Sequence, residues 1–263
     1  MDLGIKGKTA IVAAASQGLG KACAISLARE GVNLVICSRN KKDITLTAEE
    51  IASLTGAVVK PFVADVSQPS HIKKLVQFAN KTFGAVHLVV NNAGGPPTGD
   101  FLELDDDKWK QAFELTMLGT VRLTRAVLPG MIEQRWGRVI TIVSISAKQP
   151  ITDLLLSSAI RPGILGLMRV LSNKHASSNI TFNTVCPGYV LTQRLRDIMQ
   201  TRATKAGVSF DEYVKGSAKD IPLGRLGKPE EIGDVVAFLA SERSSYVSGV
   251  NMLVDGGSAK GIY

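Results

Sequence analysis

The chain is short of several things, and each shortage excludes something. Its 263 residues include three cysteines, Cys23, Cys37 and Cys186, with no CxxC spacing among them. That excludes a disulfide framework and a cysteine zinc site; buried reduced thiols suit the cytoplasm. Aromatic residues make up 5%, and the longest basic runs are the pairs Lys41-Lys42 and Lys73-Lys74. The formal net charge of +8 therefore comes without a Lys/Arg-rich arm interleaved with aromatics, and no nucleic-acid partner is expected. No apolar run approaches the roughly 18 residues of a membrane span, and residues 1–8 lack the apolar core of a signal peptide, so no membrane is expected either. The three histidines, His71, His87 and His175, are scattered without ligand spacing and read as structural, so no metal site is expected.

Against these shortages stands an alternation of apolar runs and helix-period segments along the whole chain. The run Thr9-Ala10-Ile11-Val12 leads into Ala13-Ala14-Ala15-Ser16-Gln17-Gly18-Leu19-Gly20. An amphipathic helix then reaches Arg29, Gly31 stops it, and residues 32–37 form a second apolar run. Strand, glycine turn and helix in that order offer free backbone N–H groups to a pyrophosphate. Further strands are predicted at residues 57–63, 86–91, 138–143, 180–186 and 250–254. Helices are predicted at 41–54, from an N-cap at Ser70 to Gly84, and at 107–133, 157–176 and 229–240, with two irregular helical pieces in 192–220. The strands are nearly continuous apolar runs, as buried parallel strands are. With no linker or repeat, this is an α/β chain: a single domain built on one doubly wound parallel sheet with helices on both faces. Ligands in such sheets bind outside the carboxyl ends of the strands, so the turns after Val12, Val35, Val63, Val90, Val143 and Val185 should share one crevice.

Taken in order, Gly18-Leu19-Gly20, Asp65-Val66, Asn91-Asn92-Ala93-Gly94, Ser144 and Cys186-Pro187-Gly188 form a recognisable pattern. Arg225-Leu226-Gly227-Lys228-Pro229-Glu230-Glu231 and Val254-Asp255-Gly256-Gly257 extend it. The chain resembles the short-chain dehydrogenase/reductase family over essentially its whole length, and most closely the 3-oxoacyl-carrier-protein reductase-like branch. The resemblance implies a seven-stranded Rossmann sheet, a nicotinamide cofactor and a homodimer or homotetramer. It puts cofactor contacts on Ser16, Gln17, Gly18, Leu19, Gly20, Arg39, Asp65, Val66, Asn92, Ala93, Gly94, Pro187, Gly188, Val190 and Thr192. It also implies a substrate lid at about residues 192–220.

The family's hydride chemistry uses an Asn, a Ser, a Tyr and a Lys. The Ser holds the substrate carbonyl, the Tyr passes its proton, the Lys lowers the Tyr pKa and holds the ribose, and the Asn anchors a water. The family's spacings of 13 and 4, counted from Ser144, land on Ser157 and Arg161. Thr116 takes the Asn position, so the implied set here is Ser144, Ser157, Arg161 and Thr116. Arg161 keeps the lysine's charge and can bond a ribose or a pyrophosphate, but an aliphatic hydroxyl is a far weaker acid than a phenol. Substitute acids are Lys148, Asp153 and Tyr189, each with an ordinary alternative as a solvated charge or a packing aromatic; Ser157 has one as a helix N-cap.

Cofactor choice rests on the turn Ser38-Arg39, which lacks the acid that bonds an NAD ribose; NADP(H) is favoured over NAD(H). Where the family has Thr-Gly this chain has Ala13-Ala14, tolerated if φ is negative there, with methyls that crowd the strand-to-helix crossing. Residues 192–228 carry eight Lys/Arg against four Asp/Glu, and a positive lid favours an anionic substrate. Two functions follow. One is an oxidoreductase transferring a hydride between NADP(H) and a small-molecule carbonyl or alcohol; the alternative is a catalytically silent dinucleotide-binding sensor or scaffold.

Overall fold

The computed structural model describes residues 1–261. Among them, seven parallel strands form one sheet in the order β3-β2-β1-β4-β5-β6-β7. The strands are β1 (Thr9–Val12), β2 (Asn33–Ser38), β3 (Val59–Val63), β4 (Leu88–Asn91), β5 (Gly137–Ile142), β6 (Ile180–Pro187) and β7 (Asn251–Val254). The helices are α1 (Gly18–Arg29), α2 (Lys41–Thr55), α3 (Pro69–Phe83), α4 (Asp106–Phe113), α5 (Gly119–Glu133), α6 (Leu155–His175), α7 (Gln193–Ala206), α8 (Phe210–Ala218) and α9 (Pro229–Ala240). The doubly wound single-domain sheet expected from the sequence is the one observed.

Strand alternation sorts the core into two layers. Ala10, Val12, Leu34, Ile36, Leu88, Val90, Ile140 and Val185 face α1, α2 and α9, packing on Leu27, Ile44, Ile51, Ile232 and Val236. Ile11, Val35, Val89, Val139 and Phe182 face α3, α5 and α6, packing on Leu75, Leu123, Ile164 and Met168. The central strands β1, β2 and β4 are thus apolar on both faces, whereas the edge strand β3 exposes Lys60 and Val63. All three cysteines are buried free thiols, and burial pushes Cys23 and Cys37 up to about 12. The histidines serve the fold: His87 Nδ1 accepts the Thr9 amide at 3.1 Å, and His71 Nδ1 accepts the Asp65 amide at 3.2 Å.

Four expectations change. The third helix starts at Pro69 with Gln68 as N-cap, not at a Ser70 cap, because proline suits the first helical position. The helix expected over 107–133 breaks into α4, a π-helical turn (Glu114–Leu118) and α5. Arg122 Nη1 pins that wide turn by donating to Glu114 Oε2 at 2.5 Å and to the Ser67 carbonyl at 2.7 Å. Helix α6 begins at Leu155, so Ser157 lies inside its first turn and is no N-cap. Among the described residues, one stretch, Thr152–Ser178, is long and apolar enough to cross a membrane by length and composition. It is α6 with its flanks, and it packs Ile160, Ile164 and Met168 inward.

Candidate active site

The strand order reverses between β1 and β4, and the two chain directions diverge there to leave a crevice at the carboxyl ends. The turn from β1 to α1 forms its floor. Gln17 is an extended N-cap that makes no side-chain cap bond, and no acid lies in the first turn of α1. The helix therefore presents uncapped N–H groups and positive dipole density, the arrangement that suits an anion. Gly20 is required by close approach: a Cβ there would lie 2.3 Å from the Ala14 carbonyl oxygen and 2.8 Å from Asn92 Nδ2. Asn92 holds the turn, its Nδ2 lying 3.3 Å from the carbonyl oxygens of both Ala13 and Ala14.

The two alanines behave differently. Ala13 has an ordinary φ and is buried in the core layer with Val35, Cys37 and Val66, so its methyl does not fill the cradle. Ala14 adopts φ 49, contrary to the expected negative value. The left-handed conformation costs an L-residue about 1–2 kcal/mol, and the Asn92 clamp is what holds it. Gly18 also has a positive φ, and the Thr192 methyl covers it, 3.6 Å from where a Cβ would sit.

The other residues expected to contact a cofactor lie on the segments that follow the strands. Ser16 accepts the Thr47 hydroxyl on its carbonyl at 2.9 Å, tying the turn to α2. Arg39 is exposed just beyond β2, and its charge acts on Asp65 beyond β3. Burial raises the Asp65 carboxyl, but the Ser67 hydroxyl and amide, with Arg39 and His71, hold it below its ordinary value. Val66 packs in the core and lines a small cavity with Ala13, Asn92 and Ala93. After β4, Ala93 packs on the core and Gly94 faces open space. After β6, Gly188 lies where a Cβ would meet Asp255 Cβ at 2.7 Å, and Val190 bridges Gly227. Thr192 caps α7, accepting the Leu195 amide at 3.3 Å.

The expected catalytic residues stand on β5, α6 and the π turn. Ser144, just past β5, accepts the Ser146 amide on Oγ at 3.1 Å, and the Ser146 hydroxyl lies 3.0 Å from that of Ser157. Ser146 thus joins Ser144 to Ser157, a link the sequence reading missed because the tight turn after β5 decides it. Arg161 Nη1 donates to the Val143 carbonyl, and its Nε–H is buried without a partner. Burial, then the charge of Arg194, push Arg161 down to about 10, so it stays a cation at neutral pH. Thr116 is buried in the π turn, and its hydroxyl has no partner. Helix α6 packs closely there, since a Cβ on Gly163 would meet Met117 Cε at 2.7 Å. π turns interrupt the regular ladder and recur at functional sites.

Of the substitute acids, Asp153 is spent on an exposed ion pair with Arg202 at 3.6 Å. Tyr189 is exposed and lines a cavity of about 110 Å³ with Leu223, Arg225 and Asp255. Lys148 caps the turn after Ser144, and its charge acts on the Cys186 thiol. Arg194 was not singled out by the sequence. Its Nη1 reaches the Gly95 carbonyl at 3.1 Å and its Nη2 the Pro96 carbonyl at 3.4 Å, joining α7 to the loop after β4.

A helix-terminus anion cradle at the switch point of a doubly wound sheet, with hydroxyls and a guanidinium beyond it, defines a class: hydride-transferring oxidoreductases. The comparisons narrow it. Residues 13–259 match the family model described as enoyl-(acyl carrier protein) reductase. Oxidoreductase UcpA from Escherichia coli is 34% identical over 97% of this chain and 95% of its own length. The 3-oxoacyl-[acyl-carrier-protein] reductase FabG of Salmonella typhimurium is 32% identical over 97% of this chain and 98% of its own. L-sorbose reductase from Gluconobacter frateurii, solved with NADPH and L-sorbose, superposes with a TM-score of 0.96 at 30% identity, covering 100% of both chains. The chain belongs to the short-chain dehydrogenase/reductase family.

Proposed function

We propose that this chain interconverts a carbonyl and an alcohol on a small molecule using NADP(H). The observation that carries the reading is the single crevice holding both halves of the required machinery. The uncapped α1 N-terminus and the Gly20–Asn92 clamp fit a pyrophosphate. Arg39, at a turn without an acid, fits a 2′-phosphate, and the L-sorbose reductase that superposes on this chain was solved with NADPH. When bound, that cofactor supplies the hydride.

The chain's own residues then do the rest. The Ser144 hydroxyl donates to the substrate carbonyl oxygen and orients it. Arg161 holds positive charge beside it, either toward the ribose or toward the developing oxyanion. Thr116 offers its unpartnered hydroxyl to a water or polar group behind the site. Ser157 stands at the tyrosine position and hands its hydrogen bond to Ser146; it is too weak an acid to protonate the product oxygen itself. Loss of a positioned general acid costs about 10²–10⁴ in rate, whereas hydride positioning survives, so the reading is a slowed enzyme rather than a silent binder. Helices α7 and α8 serve as the lid, and a homodimer or homotetramer in the cytoplasm belongs to the same reading.

Fluorescence titration tests it. NADPH should saturate the chain well below millimolar and bind more tightly than NADH. Arg39→Asp should weaken NADPH by about 10–100-fold, the value of one charge-assisted hydrogen-bond set, while sparing NADH. No saturation by either nucleotide overturns the proposal.

A further inference from the structure

The sheet order gives the crevice two ends. The segments after β2 and β3 lie on one side of the α1 cradle, and Ser144, after β5, lies on the other. With a pyrophosphate over the cradle and the reacting carbonyl at Ser144, the adenosine half of the cofactor falls to the β3 side. The loop there is Asp65–Ser67, and most of its hydrogen bonds are short-range. The Ser67 amide and hydroxyl donate to Asp65 Oδ1 at 2.9 and 2.7 Å, and the Asp65 amide donates to His71 Nδ1 at 3.2 Å. Among the described residues, the hydrogen bond that ties this loop to a distant part of the chain comes from Arg122 on α5. A single nitrogen makes it: Nη1 donates to the Ser67 carbonyl at 2.7 Å and to Glu114 Oε2 at 2.5 Å. Glu114 opens the π turn that carries Thr116. The two segments also touch directly, since a Cβ on Gly119, just past that turn, would lie 3.1 Å from the Val66 carbonyl oxygen.

As an ion pair alone this contact would count for little, because the Glu114 side chain is 43% exposed. What it places matters more. The Glu114 carboxylate orients the guanidinium, the guanidinium holds the Ser67 carbonyl, and Ser67 holds the Asp65 carboxylate. We propose that Arg122 is a positioning residue for the adenosine half of the cofactor, fixing the Asp65–Ser67 loop against the π turn with Glu114 as its anchor. This rests on the dinucleotide binding of the proposed function and adds to it a residue that no motif marks. A loop already held in place loses less conformational freedom when a ligand arrives, so removing the bond that holds it weakens the ligand.

The probes are NADPH, titrated by fluorescence, and adenosine 2′,5′-bisphosphate, the adenosine half alone, titrated by calorimetry. Arg122→Met should weaken both by the same factor, about tenfold, the value of one hydrogen bond from a charged donor. Arg122→Lys should recover most of that loss, because one nitrogen makes both contacts and an ammonium keeps a donor for each. Glu114→Ala, at a partly exposed position, should weaken both probes about threefold by loosening the guanidinium. Combining it with Arg122→Met should add nothing further, since the two side chains act as one unit. A lowered Tm with both affinities unchanged makes Arg122 merely structural and overturns the proposal. Weakening of NADPH without the bisphosphate also overturns it, because the effect then belongs to the nicotinamide half. If Arg122→Met does not fold, Glu114→Ala decides, and unchanged affinities there overturn the proposal. A wild type that binds NADPH but not the bisphosphate overturns this inference alone, whereas one that binds neither overturns the proposed function with it.

Discussion

Replacing Gly20 by alanine tests whether the cradle is built by close approach. The added methyl would stand 2.3 Å from the Ala14 carbonyl oxygen and 2.8 Å from Asn92 Nδ2, well inside van der Waals contact. Neither neighbour can retreat freely. Ala14 is already at φ 49, and Asn92 Nδ2 holds both alanine carbonyls at 3.3 Å. Overpacking of this kind costs about 1–3 kcal/mol, and a displaced Asn92 hydrogen bond about 1 kcal/mol more. Alanine returns about 1 kcal/mol of helix propensity, leaving a net loss of about 1–3 kcal/mol. For a domain of this size that lowers Tm by about 3–10 °C. Gly216→Ala in α8 is the control: nothing lies within 4 Å of its Cβ position. The same change there should stabilise by about 0.5–1 kcal/mol. Melting curves with and without NADPH read both effects, because ligand binding to the native state adds to its stability. Gly20→Ala should melt early and lose the NADPH-dependent shift, while Gly216→Ala keeps it. If Gly20→Ala melts with the wild type and still responds to NADPH, the close approach that defines the cradle is refuted.

The remaining predictions concern the chemistry and one exposed pair. The double variant Ser157→Tyr/Arg161→Lys restores a phenol beside an ammonium, so NADPH-dependent reduction of ketones should rise by about 10²–10⁴ over the wild type. No gain in a variant that still binds NADPH would show that the acid step is supplied elsewhere. Glu231 is held down from 4.5 to about 2 by Arg225, first through hydrogen bonds, and by the Lys228 amide. Because its folded value is depressed, it contributes stability above the ordinary carboxylate range and loses that contribution as pH falls toward 2. Both side chains are substantially exposed, so the contribution is small and salt-sensitive. A carboxyl NMR titration should place its midpoint near 2, and Arg225→Gln should return it toward 4.5; a midpoint unmoved by that substitution would mean Arg225 is not the cause.

Much of the fold was legible because its signals are local. A parallel strand buried on both faces is an apolar run whatever it packs against, and the runs ending at Val12, Val90 and Val185 lie in β1, β4 and β6. The glycine turn was legible for the same reason, since its strand, glycines and helix are contiguous. The π turn at Thr116 was not, because nothing in its local sequence marks it and the contacts of Arg122 with Glu114 and the Ser67 carbonyl beside it are tertiary. Ala14 misled the reading: alanine alone prefers negative φ, and an asparagine 78 positions away overrules that preference.

The line between sequence and structure follows the range of the forces. Periodicity and turn residues act over a few neighbours, and they determined the α/β class, the strand sequence and the glycine turn; Ser144, Ser157 and Arg161 were picked out by the family resemblance. Contacts between distant segments answer to packing and desolvation, which no local pattern encodes. Only the tertiary structure therefore decided that Ser146 joins Ser144 to Ser157, that the Arg161 Nε–H is buried without a partner, and that Arg194 crosses from α7 to the loop after β4.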